Sequence, residues 1–272
     1  MSLPTLDVIN EEIRRRESSE VYFSDPVSFV LDCFSWPPGE GPAPYQRDAL
    51  AGLVEHRRAS VRAMHGVGKT TAAAWAVLWF AITRDLRGDE WKVVTTASAW
   101  RQLVKYLWPE VHKWVRRMRW DRVGRAAFTR DELLTLNLKL RTGEAFAVAS
   151  DDAATIEGAH ADHLLYVFDE SKTIQTATWD AAEGALMTGR PLALSISTPG
   201  EPSGRFYDIQ SRKPGYEDWW CRRVALEEAF AAHASSGGKM GLDPAKAEQR
   251  RRQWGEGSAI YKNRVLGEFA ST

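Results

Sequence analysis

The chain has 272 residues, 36 Lys and Arg against 36 Asp and Glu, two Cys and 44% hydrophobic residues. This composition is typical of a globular protein and excludes collagen-like repeats, low-complexity disorder and a disulfide scaffold. The longest apolar run, Ala72 to Ile82, is shorter than the roughly 18 residues that span a bilayer, and the first residues do not resemble a signal peptide. We therefore expect a cytoplasmic location.

Positive charge is concentrated locally although the net charge is zero. A chain that is basic throughout is excluded, but a segregated basic surface is not. The densest cluster lies within thirteen positions, is interleaved with Trp114 and Trp120, and contains Lys113, Arg116, Arg117, Arg119, Arg122 and Arg125. Such runs are usually solvated helix faces, and nucleic-acid contact is the alternative. On that alternative, Arg116, Arg117 and Arg119 are the candidate DNA-binding residues.

The order of the predicted elements indicates an α/β fold. Four prolines and two glycines within residues 36–44 predict an extended linker, so we expect the core to begin near Tyr45. Hydrophobic patterns then predict strands at 60–64, 91–96, 164–168 and 192–197, helices at 70–83, 99–117 and 178–187, and a hairpin within 132–149. Strands separated by helices predict a mainly parallel sheet with helices on both faces. The chain from Glu217 onward is expected to be mostly helical.

Residues 63–71, Ala-Met-His-Gly-Val-Gly-Lys-Thr-Thr, have the character of a phosphate-binding P-loop. The pattern GxxxxGK[ST] brings backbone N–H groups onto the phosphates and adds a lysine and a hydroxyl that holds Mg²⁺. Ala63 replaces the first glycine, and Gly66 partly offsets that change. A glycine-containing turn without a ligand is the alternative. The candidate ATP-binding residues here are His65, Gly66, Val67, Gly68, Lys69, Thr70 and Thr71, with Thr70 also a candidate Mg²⁺ ligand.

Two acidic residues, Asp169 and Glu170, follow the apolar strand predicted at 164–168. Open α/β sheets place their ligands at the carboxyl ends of their strands, where a P-loop also needs acidic partners. By role, Asp169 would bind the Mg²⁺ shell and Glu170 would deprotonate the attacking water. Strands often end in acidic residues, so this pair indicates a nucleotide site only in combination with the P-loop upstream. ATP and Mg²⁺ are therefore the expected cofactors.

Polar residues at two further positions fit the same site. Tyr45 and Gln46 precede the first predicted strand and offer an aromatic face and an amide to adenine, although such a pair also commonly opens a helix. Hydroxyls end the strand predicted at 192–197, where Ser197 and Thr198 are followed by Pro199. These hydroxyls could sense the γ-phosphate region.

The combination resembles the ATPase domain of the large terminase subunit, the DNA-packaging motor of tailed bacteriophages. The segments that carry the resemblance are Tyr45–Gln46, 64–71, 95–102, 157–163 with Asp169–Glu170, 197–199, 203–207 and 264–269. The resemblance implies a P-loop NTPase fold of the RecA/ASCE type. It divides the chain into an amino-terminal segment and linker (1–44), an ATPase core (45–215) and a helical lid or linker segment (216–272). We expect the ribonuclease H-like nuclease domain of this family to be absent from this chain.

The resemblance also implies roles and partners. Gln46 would contact adenine, Lys69 and Thr70 would bind phosphate and Mg²⁺, and Ser197 and Thr198 would couple hydrolysis to movement. Glu170 would be the catalytic base. The implied partners are double-stranded DNA, the portal of the procapsid, the small terminase subunit and further copies in a ring, usually a pentamer, whereas the isolated domain would be monomeric. The protein would act in the host cytoplasm and transiently at the portal, outside the mature virion.

The chain departs from the family pattern at two arginine positions. His65 stands where many relatives have a P-loop arginine, and Glu157 stands where some have an arginine finger that reaches the next subunit. The finger would then come from elsewhere, and the candidates are Arg62, Arg101, Arg190 and Arg205. Two alternatives stay open: a helicase-like DNA-dependent ATPase, and a nucleotide-gated assembly scaffold with little turnover.

Overall fold

A seven-stranded sheet forms the centre of the protein. The computed structural model describes residue 13 and residues 20–187 and 189–271. The strands are β1 Arg58–Arg62, β2 Trp91–Ala97, β3 Asn137–Lys139, β4 Gly143–Ala149, β5 His163–Asp169, β6 Arg190–Ser197 and β7 Trp220–Arg223. They lie in the order β3-β4-β2-β5-β6-β1-β7. The β3–β4 pair is antiparallel and the other neighbouring strands are parallel, which confirms the predicted α/β fold.

Helices cover both faces of this sheet. They are α1 Pro26–Cys33, α2 Pro44–His56, α3 Lys69–Arg87, α4 Trp100–Gln102, α5 Trp108–Val115, α6 Trp120–Val123, α7 Ala153–Glu157, α8 Thr176–Ala185, α9 Arg205–Gln210, α10 Leu226–Ser235, α11 Pro244–Trp254 and α12 Ala259–Tyr261. Two π-helical turns, Leu103–Leu107 and Lys262–Leu266, follow α4 and α12. No helix within the described ranges combines the length and the apolar character needed to cross a membrane.

The central strand β5 shows how the two faces are packed. Successive side chains of a strand point to opposite faces. Leu165 and Val167 therefore join the core around α3, whereas Tyr166 and Phe168 join a second core with Trp179 of α8. The rings of Phe168 and Trp179 stack with centroids 4.2 Å apart. Because both faces are buried, the strand reads as a continuous apolar run.

The longest helix, α3, begins at the P-loop. Gly68 precedes it in a left-handed conformation, and Gly88 ends it with a backbone N–H that donates to the carbonyl of Arg84. Such a glycine end is a common helix stop. Between these ends, residues 72–85 are buried. The helix therefore lies against the sheet, and its amino terminus is fixed at the carboxyl ends of the strands, where the site lies.

The structure differs from the predicted elements in three places. The helix expected at 99–117 is interrupted by a π-helical turn and ends at Val115. Strand β7 extends the sheet within a region that was expected to be helical. Helix α1 also packs into the main core, through Phe29 and Val30. The packed core thus reaches beyond residues 45 and 215, the predicted limits of the ATPase core.

We predict that Gly143→Ala strongly destabilises the protein. A Cβ at this first residue of β4 would lie 2.0 Å from the carbonyl oxygen of Trp91 and 2.6 Å from its ring. Because Trp91 is fully buried, the clash has no easy relief, and we expect a loss of about 3 kcal/mol in the free energy of unfolding.

Gly184→Ala is the matched control, because a Cβ in this exposed turn of α8 meets no atom within 4 Å. It should raise the free energy of unfolding by up to about 1 kcal/mol through helix propensity. Urea unfolding curves measure both. Equal stabilities of the two variants would contradict the packing described for β2 and β4.

Candidate functional site

The carboxyl ends of the central parallel strands meet at one edge of the sheet. In the register, Asp169 of β5 pairs with Ile196 of β6, and Ser197 of β6 pairs with Arg62 of β1. The P-loop leaves β1 at the same edge and leads directly into α3. The topology therefore brings the P-loop, Asp169, Glu170 and Ser197 to one place, as the sequence predicted.

The carbonyl groups of the P-loop accept hydrogen bonds from other parts of the chain. The oxygen of Gly66 accepts a hydrogen bond from the Gly241 N–H at 3.0 Å, and that of Val67 accepts one from the Tyr45 hydroxyl at 2.7 Å. Gly66 and Gly68 have φ values of +79° and +93°, which favour glycine. Because these bonds hold the carbonyls pointing out of the loop, the N–H groups at the start of α3 can bind an anion, as they do at other helix amino termini.

Gln46 is part of this support. The side chain is fully buried. Its Nε2 donates to the carbonyl of Gly68 at 2.8 Å, and its Oε1 accepts from the N–H of Ala43 at 2.8 Å. Both ends of the amide are therefore engaged within the protein. In this structure Gln46 braces the P-loop, and the adenine contact stays a prediction, for which the amide has its second N–H and the second lone pair of its oxygen.

Lys69 is buried at the base of the loop. Its Nζ donates to the carbonyls of Met64 at 2.8 Å and Ala63 at 3.2 Å. Burial lowers the pKa of this ammonium group to about 8, against the pull of Glu170 and Asp169 in the opposite direction. The lysine is thus a desolvated cation at the point where phosphate is predicted to bind.

Asp169 offers an unsatisfied oxygen to the same site. Its Oδ1 accepts from the Glu170 N–H at 3.0 Å, whereas Oδ2 is buried without a hydrogen-bond partner among the described residues. Burial and then the charge of Glu170 raise the pKa of this carboxyl to about 7. A buried carboxylate oxygen without a partner fits a Mg²⁺ site, either directly or through a coordinated water.

Glu170 lies among hydroxyl groups and a second lysine. Its backbone is left-handed, with φ +49°. The Oε2 atom accepts from Ser197 at 3.3 Å and Thr198 at 3.4 Å, and lies 4.0 Å from the Nζ of Lys172. Lys172 in turn donates to the Thr198 hydroxyl at 2.9 Å. The structure thereby joins the predicted base to both predicted coupling residues.

Three further P-loop residues, His65, Thr70 and Thr71, line the cleft above the loop. Burial followed by the charge of Lys69 lowers the pKa of His65. The Thr71 hydroxyl donates to Glu110 of α5, which also lines the cleft, at 2.7 Å. Glu110 also accepts from Lys113 and from the indole of Trp114, each at 2.9 Å. In this structure Thr71 links α3 to α5.

A cleft of about 1410 Å³ opens over the P-loop. The linker at 39–44, α5 and the segment at 235–240 border it. Lys239 forms an ion pair with Glu40 of the linker. Together with the Gly241–Gly66 hydrogen bond, this pair holds the segment after α10 over the P-loop. The segment is placed as a lid would be.

The candidate DNA-binding arginines do not form one patch. Arg116 and Arg117 line the cleft, as do Lys105 and Lys113. Arg119 points to α1, where its guanidinium donates to the carbonyl of Asp32 at 3.4 Å. Arg116 and Arg117 therefore lie on the same cleft as the P-loop.

The four arginine-finger candidates lie in different settings. The guanidinium of Arg62 lies 4.8 Å from the ring centroid of Phe269, and Arg205 pairs with Asp180 at 2.5 Å. Arg101 is exposed in α4, after the carboxyl end of β2. Arg190 begins β6 and so lies at the opposite end of the sheet from the P-loop.

Sequence reasoning did not assign four residues that reach the site. They are Lys172, Arg264, Glu110 and Gly241. Only Lys172 had a local signal, since it stands two positions after the acidic pair. Arg264 lay within a quoted family segment but without a role, and the other two depend on distant parts of the chain.

Comparisons with known proteins agree with this arrangement. No protein-family model matches the chain. A probable terminase large subunit of Enterobacteria phage P7 is 39% identical over 66 residues, which cover 23% of this chain and 13% of that protein. Among solved structures, the large terminase ATPase domain of Thermus phage P74-26 superposes with a TM-score of 0.60 at 16% identity, covering 85% of this chain and 95% of that one.

This chain has the large-terminase ATPase fold. The large terminase of bacteriophage HK97 matches with a TM-score of 0.63 at 16% identity over 91% of this chain, and that of a thermophilic bacteriophage with 0.61 at 13% over 85%. The chain spans about half of these two terminases, 55% and 54%. Further structures of the thermophilic phage terminase contain ADP or ATP-gamma-S. The predicted resemblance to the terminase large subunit is confirmed.

We predict that Asp169→Asn changes how stability depends on pH. The folded-state pKa of about 7 lies above the ordinary value of 3.8, so the carboxyl contributes stability that is complete below about pH 4 and is lost as the pH rises towards 7. Without nucleotide or Mg²⁺, the variant should gain roughly 1–4 kcal/mol relative to the parent between pH 4 and pH 8.

Urea unfolding at these two pH values measures this difference, and other titrating groups cancel between the two proteins. A difference that stays constant with pH would show that the Asp169 carboxyl ionises normally.

Proposed function

We propose that this chain is the ATP-hydrolysing motor domain of a phage terminase large subunit and drives double-stranded DNA into a procapsid. The observation that supports it best is the unpartnered Oδ2 of Asp169 beside the buried Lys69. A buried cation and a buried open carboxylate at the start of a helix suit a phosphate group with its metal.

The P-loop would hold the triphosphate with groups that are already in place. The N–H groups at the start of α3 and the Nζ of Lys69 supply donors to the β- and γ-phosphates. Thr70 and Asp169 would hold Mg²⁺, which when bound offsets the negative charge of the phosphates. The braced loop carbonyls mean that the backbone of this cradle needs little rearrangement when the nucleotide binds, whereas Lys69 would turn from its carbonyl partners to the phosphate.

Glu170 would act on the attacking water. One of its carboxylate oxygens takes the proton as the water oxygen bonds to the γ-phosphorus and the bond to the ADP oxygen breaks. In this structure the carboxylate is engaged by Ser197 and Thr198. Any movement of Glu170 towards the water would therefore change the contacts of the end of β6, which is how these two hydroxyls would couple hydrolysis to movement.

The cellular partners follow from the family resemblance. We propose contact with the portal of the procapsid and the small terminase subunit, and assembly into a ring, in the host cytoplasm. A packaging assay that combines the chain within its full-length terminase, portal-bearing procapsids and DNA tests these partners together. DNA protected from nuclease only in the presence of ATP would support the motor function.

We predict different effects for two substitutions in the ATPase site. Lys69→Ala should abolish nucleotide binding or turnover, because it removes the buried donor to the phosphates. Glu170→Gln should preserve binding and slow hydrolysis by about 10²–10⁴, the usual contribution of a positioned base. Phosphate release and binding of a fluorescent ATP analogue measure these effects.

Glu201→Gln is the control for the glutamate, since it makes the same change on an exposed residue. Wild-type turnover in Glu170→Gln would overturn the assignment of the base. Binding without turnover in the parent chain under all Mg²⁺ conditions would favour the nucleotide-gated scaffold.

We predict that Arg116→Glu combined with Arg117→Glu weakens DNA binding about tenfold or more at low salt and lowers the salt slope by about 2. Contacts with phosphates should vary little with base sequence, as a translocating motor requires. The control is Arg250→Glu with Arg252→Glu, which makes the same charge change on exposed α11. Fluorescence anisotropy over a salt series measures both. Equal losses in the two double variants would mean that only net charge matters.

A further inference from the structure

Arg264 is a cation of the cleft with no partner among the described residues. It belongs to the π-helical turn Lys262–Leu266 and lines the cleft together with Gly66, Lys69 and Glu170. Of the described residues, none forms a hydrogen bond or ion pair with its guanidinium. Arginines that have a structural role nearby are paired, as Arg223 is with Glu268 at 2.9 Å. The side chain of Arg264 is exposed at the cleft.

The backbone that carries Arg264 is fixed against the root of the P-loop. Gly267, which ends the π-helical turn at φ +64°, packs against the P-loop, where a Cβ would make an ordinary van der Waals contact of 3.5 Å with the backbone nitrogen of Met64. Arg223 also donates to the carbonyl of Leu266 at 3.1 Å, and the N–H of Ala270 donates to the carbonyl of Gly200 at 3.1 Å. The turn is thus anchored to the carboxyl ends of the strands.

The positive charge of Arg264 changes the pKa values of two other groups in the site. Burial lowers the pKa of the Lys172 ammonium group, and the positive charge of Arg264 lowers it further, against the effect of Glu170. Arg264 also contributes, after burial, Lys69 and Lys172, to the lowered pKa of His65, against the effect of Glu170. Three cations, Lys69, Lys172 and Arg264, thereby line the same cleft as the carboxylate of Glu170. Such a positive cleft favours a ligand with several negative charges.

A guanidinium suits the end of a phosphate chain. It presents several N–H donors in a planar fork that matches two phosphate oxygens, and it stays charged. Lys69 lies at the base of the loop. Arg264 lines the same cleft and is near enough to Lys172 for its charge to lower the pKa of that ammonium group, and the Nζ of Lys172 lies 4.0 Å from the Glu170 carboxylate. In the proposed function, Glu170 acts at the γ-phosphate. An arginine near Lys172 would therefore meet the γ-phosphate rather than the part of the nucleotide that ADP retains.

We propose that Arg264 binds the terminal phosphate of ATP within its own subunit and so distinguishes ATP from ADP. This inference rests on the proposed function. Arg264, near the end of the described chain, would then be a phosphate-binding residue that reaches the P-loop of its own subunit. The terminal phosphate would be joined to the π-helical turn Lys262–Leu266 through the Arg264 side chain. Loss of that phosphate would release Arg264.

Binding of two nucleotides to two variants tests this. ADP and ATP-gamma-S are titrated with Mg²⁺ into the parent, Arg264→Ala and Arg264→Lys, at a concentration at which light scattering shows monomers. Arg264→Ala should weaken ATP-gamma-S binding about 10- to 100-fold, the range for a hydrogen bond between charged groups, and ADP binding less than about twofold. Arg264→Lys should recover part of the loss, because it keeps the charge but not the fork.

Arg252→Ala is the matched control, as it removes an exposed arginine of α11 outside the cleft, and it should leave both affinities unchanged. Equal weakening of ADP and ATP-gamma-S by Arg264→Ala, or no weakening of either, would overturn the proposal. Lys69→Ala separates this result from a failure of the proposed function. If Lys69→Ala both binds the two nucleotides and hydrolyses ATP as the parent does, the ATPase site itself is wrongly assigned.

Discussion

Three successive carbonyl groups of the P-loop are bound by two distant parts of the chain, and the site depends on these bonds. Tyr45 and Gln46 at the start of α2 bind the carbonyls of Val67 and Gly68, and Gly241 binds that of Gly66. A carbonyl held outward turns the neighbouring N–H groups inward, where an anion can meet them. The loop therefore takes its shape from its surroundings as well as from its own glycines.

The fold could be predicted well where strands are buried on both faces. The predicted bounds of β1, β2, β5 and β6 agree with the structure within two residues. For β5 the reason is that a strand covered on both sides reads as a continuous apolar run. Strand β7 was missed because two of its four residues are arginines and none of the four is fully buried, as befits the edge of a sheet. The π-helical turn before α5 has no pattern in the sequence that differs from an ordinary helix.

The site could be predicted where its residues are neighbours in sequence. Lys69 follows its loop directly, and Asp169 and Glu170 follow their strand, so local patterns suffice. The role of Gln46 as a brace could not be seen, since it depends on where α2 packs. Arg119 was grouped with Arg116 and Arg117 by proximity in sequence, but the chain turns after α5 and places Arg119 against α1. Spacing along the chain does not reveal such a turn.

One carboxylate joins the nucleotide site to the basic side of the cleft. Burial raises the pKa of Glu110, but hydrogen bonds from Lys113, Thr71 and Trp114 outweigh it and lower the pKa overall. Glu110 thus stays charged while it holds the first turn of α3 to α5. Because α5 leads into Arg116 and Arg117, a displacement at the start of α3 would be passed to them through this carboxylate and through the ring contact of Trp75 with Trp114, whose centroids lie 4.9 Å apart.

The two carbonyl bonds of Lys69 have a consequence for turnover. In the structure its Nζ is already paired with the carbonyls of Ala63 and Met64. In the proposed function, the third N–H of this ammonium group is left for a phosphate oxygen, and a lysine that turned fully to the phosphate would exchange its carbonyl bonds for new ones. Its net gain would then be only the difference between two sets of partners. After the reaction the same carbonyls would take the ammonium group back, which would weaken the hold on product and help the site to empty between cycles.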